Sequence, residues 1–139
     1  MTIVYEKVLS APPDELFELY ASAGWWSRGE PYEKAVLDIV MGSFCFFVAK
    51  DTATGKIVGM GRVISDGCSD GYIQDVTVLP SYRGQGIGRE IMRHLVLFCQ
   101  EKGLEWIGLV AEPGTTPFYK SLDFEVLQDY QPMLLKKKS

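Results

Sequence analysis

The chain has one histidine, three cysteines and no excess of positive charge, and each scarcity removes a class of function. The single histidine, His94, has no companion for a nucleophile-base pair, so Ser-His and Cys-His chemistry lacks support. It reads instead as a surface or capping side chain beside the apolar stripe of a helix. Cys45, Cys68 and Cys99 are odd in number, far apart and without a CxxC, so neither a disulfide framework nor a metal site is expected. Fourteen basic against eighteen acidic residues leave a net charge of −4 and a pI near 5.0. That balance argues against duplex nucleic acid or an anionic membrane as the main partner. No apolar run approaches the roughly 18 residues of a membrane span and no signal-peptide pattern opens the sequence, so a reduced cytoplasmic protein is expected. Repeats are also missing, and Lys136-Lys137-Lys138 reads as a solvated charge run.

What is present is enough apolar material for one core. With 47% apolar residues over 139 positions, the sequence reads as a single α/β domain spanning 1–139. Residues 3–9 predict a strand. Pro12-Pro13-Asp14 opens a helix whose apolar face is Leu16, Leu19, Tyr20 and Ala23, closed by Gly24. A second helix is predicted over 31–41, with Val36, Leu37, Val40 and Met41 on one side. The segment 43–50 is apolar on both faces, as for a strand covered on both sides, and turns at 51–55 into a hairpin partner over 56–65. A strand over 72–79 feeds a helix over 86–102 with Ile87, Ile91, Leu95, Phe98 and Cys99 in register, and a strand over 104–111 follows. Together these form a crossover unit with a central parallel pair. A short helix near 115–121 and a closing strand from 123, interrupted near Pro132, complete the reading.

The chemistry concentrates in Val78-Leu79-Pro80-Ser81-Tyr82-Arg83-Gly84-Gln85-Gly86-Ile87-Gly88-Arg89. A strand breaks at a proline, passes three alternate glycines and enters an amphipathic helix. The first helical N–H groups lack carbonyl partners and the helix dipole favours an anion, while glycines let phosphate oxygens approach. A dinucleotide fingerprint would need glycine at 89, where arginine stands, and a P-loop would need Gly-Lys-Ser/Thr, which is missing.

The pattern V-x-P-x-Y-R-G-Q-G-I-G-R resembles the acetyl-CoA signature of the GNAT N-acetyltransferase superfamily, and the order of elements is similar over nearly the whole chain. Phe118-Tyr119-Lys120-Ser121-Leu122-Asp123-Phe124-Glu125 resembles the family's F-Y-x-x-L-G-F-E, with Asp123 in place of glycine and with Glu112 and Pro113 where an asparagine is common. The resemblance implies a mixed, mostly antiparallel sheet with a central splayed parallel pair, flanked by helices. It implies acetyl-CoA as co-substrate, its pyrophosphate on Arg83, Gly84, Gln85, Gly86, Ile87, Gly88 and Arg89. The pantetheine arm would run along Val76, Thr77 and Val78, with a backbone N–H near Val78 for the oxyanion.

Transfer of the acetyl group to an amine would then use Tyr119 as general acid towards the thiolate. Strand alternation puts Tyr72, Gln74, Val76 and Val78 on one face and Ile73, Asp75 and Thr77 on the other. Asp75 is the ionised member and the candidate base, with a water chain as the alternative; a bulge would change the parity. Trp25 and Trp26, in the segment 24–28 that shapes the acceptor site in the superfamily, are expected to divide their work. One anchors the helices, and the other lines an apolar or aromatic amine pocket; Tyr32 and Phe44 are both lesser candidates for that wall, and Tyr72 and Gln74 of the 72–79 strand are expected on the substrate side. A small-molecule primary amine is the expected acceptor. A protein amino terminus or lysine stays open, as do a non-catalytic acetyl-CoA sensor and a homodimer.

Overall fold

The computed structural model describes residues 2–27, 29 and 31–137. Arg28 of the expected acceptor segment and Lys138 of the terminal lysine run lie outside the described residues. Two compact units make up the chain, Met1–Leu109 and Val110–Ser139.

In the first unit, β1 (Ile3–Lys7) is followed by α1 (Pro13–Ser22), α2 (Glu33–Gly42), β2 (Cys45–Asp51), β3 (Lys56–Ile64) and β4 (Asp70–Val78). A 3-10 turn (Pro80–Tyr82), α3 (Ile87–Glu101) and β5 (Trp106–Gly108) complete it. The strands lie in the order β1-β2-β3-β4-β5, antiparallel except for the parallel pair β4–β5. This is the mixed, mostly antiparallel sheet that the resemblance implied. The parallel pairing spans only Asp70↔Trp106 to Tyr72↔Gly108, so β4 continues to Val78 after β5 has left it.

Helices cover both faces, which explains why β2 is apolar throughout. Phe46 and Val48 join Leu16, Leu19 and Tyr20 of α1 and Val36 and Val40 of α2 in one buried cluster. Phe47 points the other way, stacking on His94 of α3 with ring centroids 5.4 Å apart. Each fully buried side chain of this kind contributes about 1.5–3 kcal/mol. The stripe Ile87, Ile91, Leu95 and Cys99 of α3 is buried as predicted, with Met92 added. Glycine in β3 permits its close approach: a Cβ at Gly59 would come within 2.8 Å of the Ile91 Cδ1, and one at Gly61 within 2.9 Å of the Leu95 Cδ1. Side chains at these two positions of β3 would hold α3 further out.

Several expectations need correction. In α2 the buried face is Val36 and Val40 with Ile39 against the core, while Leu37 and Met41 are exposed. The stripe of a ten-residue helix is narrow, and positions 37 and 41 lie about 100° beyond it. His94 is neither a cap nor a plain surface residue; its ring lies between Tyr5, 5.2 Å away, and Phe47. The strand expected over 104–111 is three residues long, and no strand follows it among the described residues, so the closing strand from 123 is missing. In consequence β5 is the last strand of the sheet, and the parallel pair lies at its end.

Candidate active site

After Val78 the chain leaves the sheet through a turn fixed by Pro80. The Tyr82 N–H donates to the Leu79 carbonyl at 2.9 Å, and the Arg83 N–H to that of Pro80 at 3.3 Å. Two left-handed glycines follow, Gly84 (φ 80°) and Gly86 (φ 83°), a conformation that costs other residues about 1–2 kcal/mol. The Gly86 carbonyl accepts the first bond of α3, from the Glu90 N–H at 3.1 Å, so the N–H groups of Ile87 and Gly88 come before the first intrahelical bond. Arg83, Gly84, Gln85, Gly86 and Arg89 are exposed, and no atom lies within 4 Å of where a Cβ on Gly84 or Gly86 would stand. The loop thus presents bare amides at the positive end of a fifteen-residue helix, a ready site for a pyrophosphate.

Two side chains pin this loop. The Arg83 Nε donates to the Val78 carbonyl at 2.9 Å. The Tyr82 hydroxyl donates at 2.8 Å to the Oδ2 of Asp51, a carboxylate only 5% exposed whose Oδ1 takes the Ala53 N–H. The hairpin turn after β2 is therefore tied to the start of the glycine loop.

Ladder geometry sorts the strand residues. The Leu79 N–H donates to the Val58 carbonyl, so Thr77, opposite Met60, also spends its backbone groups on β3, whereas the N–H and carbonyl of Val78 point away from it. Val78 is thus the residue with an outward amide at the expected oxyanion position, while Thr77 keeps its own in the sheet.

Between Gln74 and Thr77 the register with β3 slips by one residue, and Asp75 takes φ 60°. This bulge undoes the alternation expected for β4. The Asp75 side chain now shares the α1 face with Gln74, and Val76 faces α3, its methyl 3.1 Å from where a Cβ on Gly61 would stand. Asp75 Oδ2 accepts from the Arg62 Nε and from the Tyr20 hydroxyl, each at 2.7 Å. Arg62 also reaches Gln74 Oε1 at 3.3 Å and Ser43 Oγ at 3.4 Å. The Arg62 and Asp75 side chains are each 14% exposed, so the pair is shielded but still open to a ligand. Burial, then the charge and hydrogen bond of Asp75, push the Tyr20 phenol far above its ordinary value and keep it protonated.

Aromatic rings wall this cluster. Trp26 stacks on Tyr20 at 4.1 Å and 10°, and Trp25 meets Tyr20 edge-on at 6.1 Å. Tyr32 packs edge-on against Phe17 at 4.0 Å. Trp25, Trp26 and Tyr32 are all partly buried against the α1 cluster, so both indoles anchor and both keep an open side. Tyr72 lies two residues before Gln74 and shares its face. Phe44 does not join this wall; it packs on Phe98 of α3, on the other side of the sheet.

Tyr20, Arg62 and Asp51 were missed in the sequence, although the first two left a signal. A tyrosine inside an apolar helical stripe needs a partner for its hydroxyl, and an arginine within the apolar run of β3 needs a counter-charge. Neither signal names that partner.

The second unit holds Tyr119 in α4 (Thr116–Lys120). Asp123 takes φ 69°, its N–H donating to the Lys120 carbonyl and that of Phe124 to the Tyr119 carbonyl, both at 3.1 Å. That is a Schellman end with aspartate at the left-handed place, and the Tyr119 and Phe124 rings make its apolar contact at 6.1 Å. Burial, and secondarily the charge of Glu112, raise the Tyr119 phenol above its usual value.

A family model described as an acetyltransferase (GNAT) domain matches residues 42–126. An uncharacterized N-acetyltransferase ycf52 of Pyropia yezoensis is 32% identical over 111 residues, 79% of this chain and 63% of the relative. A chloroplastic serotonin N-acetyltransferase 2 of Oryza sativa is 37% identical over 78 residues, 56% of this chain and 39% of the relative. The chain thus spans less than two thirds of the length of these curated relatives. Among solved structures, a GNAT-family acetyltransferase of Streptococcus pneumoniae superposes with a TM-score of 0.81 at 27% identity, covering 99% of this chain and 100% of that one.

Proposed function

Since the chain belongs to the GNAT acetyltransferase family, whose co-substrate is acetyl-CoA, we propose that it acetylates a primary amine on an apolar or aromatic small molecule. The observation that carries the acceptor class is the carboxylate of Asp75 held by the Tyr20 hydroxyl, whose ring in turn packs against Trp25 and Trp26. A carboxylate draws an ammonium group, and indole faces take the apolar remainder of the molecule. The partial likeness to a relative named for serotonin points to the same class.

In this reading the amides from Arg83 to Arg89 hold the pyrophosphate and the edge of β4 at Val76–Val78 lines the pantetheine arm. Both hydrogen bonds to Asp75 fall on Oδ2, which leaves Oδ1 to receive the ammonium and take up its first proton through water. The amine lone pair attacks the thioester carbon, and the oxyanion takes a hydrogen bond from the Val78 N–H. As the C–S bond breaks, Tyr119 gives its proton to the sulfur, and the second amine proton restores the phenol. The products are the amide and free CoA thiol. Tyr72, Gln74 and Tyr32 line the acceptor side. The whole chain works as one catalytic domain, in the cytoplasm. Among the described residues, no helix is long and apolar enough to cross a membrane.

The test is CoA release across a panel of arylalkylamines, polyamines, amino acids and peptides. Arylalkylamines are expected to give the highest kcat/KM. Preference for peptides would transfer the reading to a protein acceptor, and tight acetyl-CoA binding without any transfer would make the protein a sensor.

A further inference from the structure

Among the described residues, Asp51 is the one charged side chain that is buried. A carboxylate out of water is costly unless its oxygens are matched, and here each has a donor: the Ala53 N–H at Oδ1, 2.9 Å away, and the Tyr82 hydroxyl at Oδ2, 2.8 Å away. The first is a turn bond that an uncharged asparagine or serine would also make, so it does not account for a buried charge. The second joins the end of β2 to the start of the glycine loop across 31 positions of sequence. That bond, with burial and the charge of Asp51, raises the Tyr82 phenol above its ordinary value, so the hydroxyl keeps its proton.

The hairpin that carries Asp51 is itself fixed. Ala49 pairs with Gly59 and Lys50 with Ile57, so β3 holds one extra residue, Val58. At this bulge the Ile57 N–H donates to the Glu15 Oε1 of α1 at 2.8 Å, and the Val58 carbonyl takes the Leu79 N–H at 2.9 Å. The turn is closed by the Gly55 N–H on the Asp51 carbonyl at 2.8 Å. The glycine loop is held differently. The bonds of the Tyr82 and Arg83 amides and of the Arg83 Nε stay within residues 78–83, and Arg83, Gly84, Gln85 and Gly86 are exposed. The Tyr82 hydroxyl is what refers this stretch to the fixed hairpin.

We propose, on the reading that the glycine loop takes the pyrophosphate, that Asp51 is a positioning residue for acetyl-CoA, holding the loop through the Tyr82 hydroxyl in the arrangement that receives it. A loop that spends only part of its time in the competent shape binds more weakly by that fraction. The bond therefore acts on cofactor affinity and not on the chemical step, because the pantetheine arm separates the pyrophosphate from the thioester. A direct effect of the Asp51 charge would have the opposite sign, since a carboxylate repels phosphate.

The experiment compares acetyl-CoA with S-acetylpantetheine, which has the same thioester and arm but no pyrophosphate. Calorimetric titration gives the acetyl-CoA Kd, and transfer to the best amine of the panel gives kcat and kcat/KM for both donors. Tyr82→Phe, with its melting checked, should raise the acetyl-CoA Kd about tenfold. It should leave kcat at saturating acetyl-CoA and kcat/KM with S-acetylpantetheine unchanged. Asp51→Asn, whose amide can still take the Ala53 N–H and donate to the tyrosine oxygen, should keep most of the affinity. Asp51→Leu should lose as much as Tyr82→Phe, and the two together no more than either alone. A wild-type Kd in Tyr82→Phe overturns the proposal, as does an equal loss with both donors, which would mark a general defect of the fold. A wild type that uses S-acetylpantetheine as well as acetyl-CoA overturns the loop as the pyrophosphate site, and the role of Asp51 with it.

Discussion

Substitution of Gly86 separates the folding of the glycine loop from its binding of a phosphate. Gly86 caps α3 at φ 83° and ψ 7°, and a Cβ there would meet nothing within 4 Å. Gly86→Ala therefore incurs only the left-handed backbone penalty, about 1–2 kcal/mol. Gly86→Asp incurs the same strain but recovers about 0.3–1 kcal/mol from a negative charge at the helix N-terminus. Its side chain cannot add a regular N-cap bond, which needs an extended backbone at that residue. Both variants are thus expected to fold, the aspartate slightly the more stable, with melting lowered by roughly 3–6 °C per kcal/mol. Binding reverses this order. A carboxylate about 5 Å from a phosphate charge costs about 3 kcal/mol at an effective dielectric of 20, or roughly 200-fold in affinity. Calorimetric titration with acetyl-CoA should show Gly86→Ala within about tenfold of wild type and Gly86→Asp weaker than Gly86→Ala by that further factor. Equal affinities for the two folded variants would refute the argument and move the pyrophosphate away from this helix end.

Tyr119→Phe keeps the ring that meets Phe124 and removes the proton donor, so kcat should fall about 10²- to 10⁴-fold with the acetyl-CoA KM unchanged. Because burial and Glu112 raise the phenol, it stays protonated as pH rises through its ordinary value near 10; Glu112→Gln should move any alkaline loss of kcat to lower pH. Tyr20→Phe removes the hydroxyl that donates to Asp75, and urea unfolding should show a loss of about 1.5–3 kcal/mol, typical of a hydrogen bond to a charged group. The Tyr20 phenol is raised in the folded state, so its contribution is whole below about pH 10 and is lost as pH climbs towards the folded value; the variant should unfold less steeply in alkali, and an unchanged alkaline slope would count against the bond. Trp25→Ala and Trp26→Ala should raise the acceptor KM and leave the acetyl-CoA KM unmoved. Lower melting with both KM values intact would make the indoles purely structural.

The glycine loop was legible because it is local: Pro80, the glycine spacing and the stripe of α3 lie on one continuous stretch, and helix-end amides need no distant partner. The same holds for the end of α4, where Asp123 takes the left-handed place within a single turn. The buried stripe of α3 and the apolar β2 were also readable, since both depend on periodicity alone. What joins distant positions was not. The ion pair Arg62–Asp75 depends on a bulge that rotates one residue of β4 to the other face, and alternation by itself put Asp75 on the wrong one. Tyr20 meets Asp75 across 55 positions of sequence, and Tyr82 meets Asp51 across 31. Pattern names which side chains need a partner; only packing decides which partner they get, because burial makes an unpaired charge or hydroxyl too costly to leave. The sequence by itself determined the helix end that invites a phosphate, and the tertiary structure decided the carboxylate and the rings set on the α1 face of the sheet.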